Sequence, residues 1–373
     1  MCTNFRILNK NSEEIVIGRS MEFAFFLDAK IFYSPHIRGI NKQCFYNPFT
    51  QKYCSPEEVN NYKFEWKSKY AFISTSSFNQ ELATDGFNTE GLYVGALLLN
   101  CTEYQKITTP SKGLYFLNFC NWVLSSFKSC KEVHNALSNG EVQIGNPLKE
   151  NFGLHFAIHD ASGESMVVEI VNEKINLYCN TKIGVMTNDP ELPWHMQNLQ
   201  NYTCVTPHIV KNMPKGNFKI PENRSLGSGF ELLPGGQLPS ARYIRTAMMV
   251  NYSILEHNSQ EGLMNSKNLA FHILNTVDIP YGIARESFDT KNDPLIKNDY
   301  TMYSTVSDLT NKIYYIRLYN SPIVYSYNLD KISNEVFEKR QIDIPTEEFA
   351  IDKTYTVTES IVQPDMVKET TLN

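Results

Sequence analysis

Two short runs at the head of the chain limit what it can fold into. Residues 3–8 and 15–23 are apolar stretches that alternate with the period of a strand, and the polar segment Asn9-Lys10-Asn11-Ser12-Glu13-Glu14 joins them. The pattern predicts a β-hairpin. Cys2 stands directly in front of it, behind Met1. Cys is small enough for the Met to be trimmed, which would leave Cys2 first in the chain. A first-position Cys carries a thiol and a free α-amine on one carbon. The thiol is a nucleophile once deprotonated. The amine, with an ordinary pKa of about 7.7–8.0, suits a general base near neutral pH.

Beyond the hairpin, strands are predicted at 71–75, 92–99, 154–159, 165–171, 174–179, 183–187, 300–307, 312–319 and 324–327. Helical periodicity covers 113–138 in two pieces, 240–254 and 261–276. Residues 24–68 are rich in aromatics and turn formers with few clear elements, and Asp85-Gly86-Phe87-Asn88-Thr89-Glu90-Gly91 reads as a turn. Asp189-Pro190-Glu191 reads as a helix start with Asp189 as cap, and Ser240 as the cap of a later helix. Strands, two helical blocks, then strands again predict a layered α+β fold with antiparallel sheets. The 373 residues allow one large domain or two. The tail after about residue 346 is polar and is expected to be peripheral.

A formal net charge of −6 argues against a nucleic-acid partner. No run of about 18 apolar residues predicts a membrane span, and the N-terminus lacks the pattern of a secretory signal, so a cytoplasmic protein is expected. The eight cysteines include no C-x-x-C pair, so neither a zinc site nor a redox dithiol is expected. His155 and His159 are four apart but lie in an alternating run, which reads as a strand rather than a metal site.

Several stretches together resemble one family. They are Met1-Cys2-Thr3, Gly18-Arg19-Ser20-Met21-Glu22, Asp160-Ala161-Ser162-Gly163-Glu164-Ser165, Ile183-Gly184-Val185-Met186-Thr187-Asn188, and Leu233-Pro234-Gly235-Gly236 followed by Pro239-Ser240-Ala241-Arg242-Tyr243. In this order they resemble the penicillin V acylases and choloylglycine (conjugated bile acid) hydrolases, N-terminal-nucleophile amidases. The resemblance implies a four-layer αββα sandwich, two antiparallel sheets between helical layers, as one domain over residues 2–346 with a tail at 347–373. It also implies a homotetramer and hydrolysis of a small-molecule N-acyl amide without metal or organic cofactor.

The resemblance assigns six site residues. Cys2 is the nucleophile, forming an acyl-enzyme that water releases. Arg19 lies beside it and favours the thiolate. Glu22 stands where well-known members carry Asp, which holds the Cys amine. Strict alternation puts Arg19 and Glu22 on opposite faces, so the strand must bend, bulge or end between them. Asn188 offers a side-chain N–H to the oxyanion, and the backbone N–H of Leu98 is the second donor. Arg242 falls in the first turn of a helix, where the dipole disfavours a cation; a nearby anion such as Glu22 would compensate. Asp85 and Asn88 are expected to shape a turn. Phe23, Phe25, Phe26 and the aromatics at 62–66 are candidates for an apolar acyl pocket. Thr89 and Gly236 replace an expected Glu and Asp, which marks a divergent member.

The acyl group expected is bulky and apolar: penicillin V, a bile acid conjugate, or a long-chain amide such as an acyl homoserine lactone. Two other readings compete. One is a non-catalytic binding protein on the same scaffold, motivated by Glu22 and Leu98. The other is a Cys/His thiol enzyme using an internal cysteine, which no His-bearing motif supports.

Overall fold

A computed structural model of the chain describes residues 1–9, 13–24, 27–36, 39–209, 214–215, 217–219, 225–253, 265–286 and 297–346. We number the strands of its two large sheets, and its α-helices, in chain order. The hairpin is present as β1 (Cys2–Asn9) and β2 (Glu14–Phe23). Then come β3 (Lys30–Ser34), β4 (Phe72–Ser76), β5 (Ala83–Asn88) and β6 (Tyr93–Leu98). Helices α1 (Phe119–Ser126) and α2 (Cys130–Ser138) follow. Next are β7 (Leu154–His159), β8 (Ser165–Val171), β9 (Lys174–Cys179), the short β10 (Val185–Met186) and α3 (Leu192–Asn198). Helices α4 (Pro239–Tyr252) and α5 (Ser266–Asn275) precede β11 (Ala284–Glu286) and β12 (Lys297–Asp308). The end is β13 (Ile313–Leu318), β14 (Val324–Asn328), α6 (Leu329–Glu335) and β15 (Arg340–Asp343).

One sheet runs β10-β1-β2-β12-β13-β14, with β11 added beside β12. The other runs β9-β8-β7-β6-β5-β4-β3-β15. Every pairing in the two sheets is antiparallel. Helices α4 and α5 pack on the first sheet, and α1 on β5 and β6 of the second. One apolar core fills the space between the sheets and under α4 and α5; a second lies beneath α1 and α2. The result is the four-layer αββα sandwich.

This layering changes what alternation means. Both faces of β1 and β2 are covered, so residues 2–7 and 15–22 are buried without a break. Opposed residues on paired strands share a face, and Asn4 pairs with Arg19. Asn4 donates to the Tyr93 hydroxyl at 3.0 Å, so this face meets the second sheet. The opposite face meets the helices: Thr3 is reached by Arg242 of α4. Gly18 is required here, because a Cβ on it would stand 2.3 Å from the Phe5 ring.

Several sequence expectations are corrected. Residues 85–88 are not a turn but part of β5, paired with both β4 and β6. Gly86 is there for close packing, since a Cβ would meet the Ile73 carbonyl at 2.2 Å. The turn is confined to the following residues, where the Asn88 carboxamide accepts from Glu90 and Leu92 N–H. The helix expected at Asp189 starts later, at Leu192 behind Glu191, with a proline in its first turn. Asp189 instead accepts from the main chain of Asn100 and Cys101. Ser240 is inside α4, which is preceded by Leu238 at the cap. Residues 113–115 are a strand rather than helix. Ile254, residues 261–264, and the tail from 347 lie outside the described residues.

Candidate active site

Cys2 lies between the sheets at the start of β1, 4% exposed. Its Sγ is 3.8 Å from Met21 Sδ and 4.0 Å from Arg19 Nη2. Arg19 is fully buried. Its Nη1 donates to Asp85 Oδ1 at 3.2 Å and to the Tyr303 hydroxyl at 3.4 Å; Nη2 donates to the Ala96 carbonyl at 2.7 Å. Burial opposes the charge, but Asp85 foremost, with Tyr303 and Cys2, raises the Arg19 pKa well above its ordinary value. A fixed cation thus stands beside the thiol.

Asp85 was expected to shape a turn; instead it is the counter-ion of Arg19, with no exposed surface. Its other oxygen accepts from Thr305 Oγ1 and the Tyr314 hydroxyl, both at 2.9 Å. Strand β5 delivers it from the facing sheet, which local sequence could not reveal. Glu14, on the same strand as Arg19, pairs instead with Lys267.

Glu22 reaches the site through an irregularity. Met21 pairs with Tyr303 but Glu22 pairs with Thr301, so the register slips by one between them. A slip of this kind is a β-bulge, which re-aims the side chains beyond it. Both Cys2 and Glu22 consequently line one cavity. Glu22 Oε1 accepts from Thr301 Oγ1 at 2.8 Å, while Oε2 is buried with no hydrogen-bond partner among the described residues. Burial raises the Glu22 pKa; Arg242 and the Met1 ammonium oppose the shift.

Arg242 and Asn188 meet behind Cys2. Arg242 is fully buried in the first turn of α4. It donates to the carbonyls of Cys2 (2.5 Å) and Gln237 (2.9 Å), to Thr3 Oγ1 (2.7 Å) and to Asn188 Oδ1 (2.8 Å). Burial lowers its pKa, and Glu22, Cys2 and Asp299 oppose the fall. These acceptors and anions offset the unfavourable helix dipole. Asn188 Oδ1 also accepts from the Cys2 N–H at 2.7 Å, and its Nδ2 donates to the Leu98 carbonyl at 2.8 Å. Leu98 pairs with Leu154 on one side, whereas the recorded register with β5 ends at Gly95. Leu98 therefore turns its other edge to the cavity that it lines.

Two histidines outside the expected set hold this corner. His195 Nε2 faces the Asn188 carbonyl at 2.8 Å, and its ring stacks on Tyr243 with centroids 4.7 Å apart. Burial pushes its pKa down, so the neutral ring is favoured. His155 bridges Glu169 Oε1 (3.0 Å) and the Thr187 carbonyl (3.1 Å). The alternating pattern placed His155 on a strand, as observed, but could not show what it faced.

The cavity in front of Cys2 offers about 60 Å³. Leu27, Phe78, Phe116, Phe152 and Phe156 are among its walls. Phe23 lines it as expected, while Phe25 and Phe26 lie outside the described residues. The aromatics at 62–66 do not line it: Tyr62, Phe64 and Trp66 belong to the core under α1, where Trp66 donates to Ser125. A second space of about 410 Å³ shares Phe23, Phe78 and Phe152 with the first. Among the described residues no helix is long and apolar enough to cross a membrane.

Comparison with known proteins agrees with the expected family and fold. Residues 2–339 match the family described as linear amide C–N hydrolases, choloylglycine hydrolase family. The bile salt hydrolase/transferase of Clostridium perfringens is 29% identical over 341 residues, 89% of this chain and 93% of that protein. The penicillin V acylase of Pectobacterium atrosepticum is 23% identical over 351 residues, 89% of this chain and 82% of that protein. A crystal structure of a variant of conjugated bile acid hydrolase from Clostridium perfringens superposes with TM-score 0.74 at 26% identity, covering 95% of this chain and all of that one.

Proposed function

The chain belongs to the choloylglycine hydrolase family of linear amide C–N hydrolases, and from that premise we propose that it cleaves N-acyl amides with Cys2 as an N-terminal nucleophile. The observation that carries the proposal is the Cys2 thiol, 4.0 Å from a buried Arg19 and at the wall of an apolar cavity. Met1 must first be removed, which converts the Cys2 N–H into an amine.

The thiolate adds to the acyl carbonyl, and the oxyanion takes hydrogen bonds from Asn188 Nδ2 and the Leu98 N–H. Asn188 has a second N–H beyond the one given to Leu98. The tetrahedral intermediate breaks its C–N bond as the Cys2 ammonium protonates the leaving amine. Water, deprotonated by the same amine, then attacks the thioester and releases the carboxylic acid and the thiolate. Glu22 Oε2, without a hydrogen-bond partner among the described residues, takes a hydrogen bond from that amine and positions it. Arg242 holds Asn188 and the Cys2 carbonyl in place.

The aromatic walls of the inner cavity, Phe23, Phe78, Phe116, Phe152 and Phe156, favour a slender apolar chain or an aryl group. The acyl group enters past Phe23, Phe78 and Phe152 and extends into the larger space beyond. With 2-aminoethanol as the common amine, phenoxyacetyl and decanoyl amides are expected to show at least tenfold higher kcat/KM than the choloyl amide. Equal rates, or a faster choloyl amide, would refute the slender-acyl assignment. No turnover of any of them by protein lacking Met1 would favour the binding-protein reading.

Glu22→Gln tests the positioning role. Losing a charged hydrogen bond worth about 1.5–3 kcal/mol lowers kcat roughly ten- to a hundredfold. The pH dependence of stability provides a second readout. A raised folded-state pKa means that the folded chain binds the proton more tightly, so stability falls as pH rises from the ordinary Glu range through the raised value. Glu22→Gln removes that contribution, and its melting temperature is expected to vary less across that window. An unchanged kcat would remove Glu22 from the mechanism.

A further inference from the structure

Met1 fills a slot that the proposed chemistry requires it to leave. Its carbonyl accepts from the Glu22 N–H at 2.9 Å, and its amino group donates to the Glu22 carbonyl at 2.9 Å. This closed pair extends β1 by one residue. The same amino group donates to Asp299 Oδ2 at 2.8 Å. Asp299 Oδ1 is buried with no hydrogen-bond partner among the described residues. Removing Met1 therefore leaves a main-chain donor, a main-chain acceptor and a carboxylate facing one vacated space. Glu22 has no exposed surface, and buried main-chain groups are rarely left unpaired.

The slot begins at the Cys2 nitrogen. A leaving amine must lie within hydrogen-bond reach of that nitrogen to be protonated by it. The amine half of a substrate thus starts where the slot starts. The slot also prescribes what suits it: an acceptor for the Glu22 N–H and a cation for the Glu22 carbonyl and Asp299. The Met1 ammonium is a stand-in for that cation. Arg242 is the nearby opposing charge, but its guanidinium is committed to Cys2, Thr3, Asn188 and Gln237.

We infer that, resting on the thiol-amidase reading above, the seat of Met1 is the leaving-group subsite and Asp299 makes it select amides whose amine half is cationic. Amides that release an anionic amine, such as an amino acid, are disfavoured there.

The test uses full-length protein shown by intact mass to lack Met1, with three decanoyl amides: 2-aminoethyl, 2-hydroxyethyl and carboxymethyl. Wild type is expected to favour the aminoethyl over the carboxymethyl amide by at least tenfold in kcat/KM. Asp299→Asn is expected to cut that ratio to within about threefold of unity, and Asp299→Glu to keep it. A wild-type ratio near one overturns the inference while leaving the amidase reading intact. So does an Asp299→Asn variant that slows all three amides equally, because the carboxylate would then serve the Cys2 amine. If wild type cleaves none of the three, nor the choloyl amides of the same three amines, the amidase reading fails and the subsite fails with it.

Discussion

Alanine at position 2 is expected to abolish amide hydrolysis while leaving the fold intact. Losing a covalent nucleophile costs on the order of 10⁴-fold or more in kcat. The structural cost is small, because the polar contacts of Sγ among the described residues are long, 3.8 Å to Met21 and 4.0 Å to Arg19, and it borders an existing cavity. Alanine is also small enough to allow Met1 to be trimmed, so the variant and wild type can be compared in the same processed form. Rates on the preferred decanoyl or phenoxyacetyl amide, beside thermal melts, decide the matter. Activity within tenfold of wild type would mean that another group attacks the carbonyl. The Cys/His alternative with an internal cysteine would then return.

The largest expected loss of stability comes from Asp85→Ala. It removes the counter-ion of an arginine with no exposed surface and leaves Thr305 and Tyr314 without their shared acceptor. Breaking a buried ion pair from one side costs about 3–5 kcal/mol, a large part of the total stability of an ordinary domain. Asp85→Asn keeps the shape and part of the hydrogen bonding and should lose less. Urea unfolding of the three proteins measures the difference. A loss below about 1 kcal/mol for Asp85→Ala would show that the pair is solvated and that Arg19 is not held by it. Turnover should fall with stability in the alanine variant, because Asp85 helps to fix the guanidinium beside the thiol.

The hairpin, the antiparallel layers and the position of Cys2 were legible because they depend on short-range period and order. The need for an irregularity between Arg19 and Glu22 was legible too, from the parity of a strand. What escaped was whatever depends on the facing layer. Asp85 looked like a turn residue because its neighbours Gly86 and Asn88 are turn formers, and only the sheet opposite shows that it meets Arg19. Residues 62–66 looked like a pocket for the same reason in reverse: aromatic content says buried, not where. His155, His195 and Asp299 carry no local signature at all. Asp299 meets Met1 and His155 meets the Thr187 carbonyl from far along the chain, and His195 meets the Asn188 carbonyl seven residues back only because the chain turns between them.

The bulge beside Glu22 pairs the head of the chain with residues 300–303. During synthesis the thiol therefore leaves the ribosome long before the strand that completes its surroundings. The half-buried seat of Met1 favours excision on that nascent chain, while the end is still loose. On the proposed mechanism, reactivity would arrive only when roughly the last fifth of the polypeptide docks against the head of the chain.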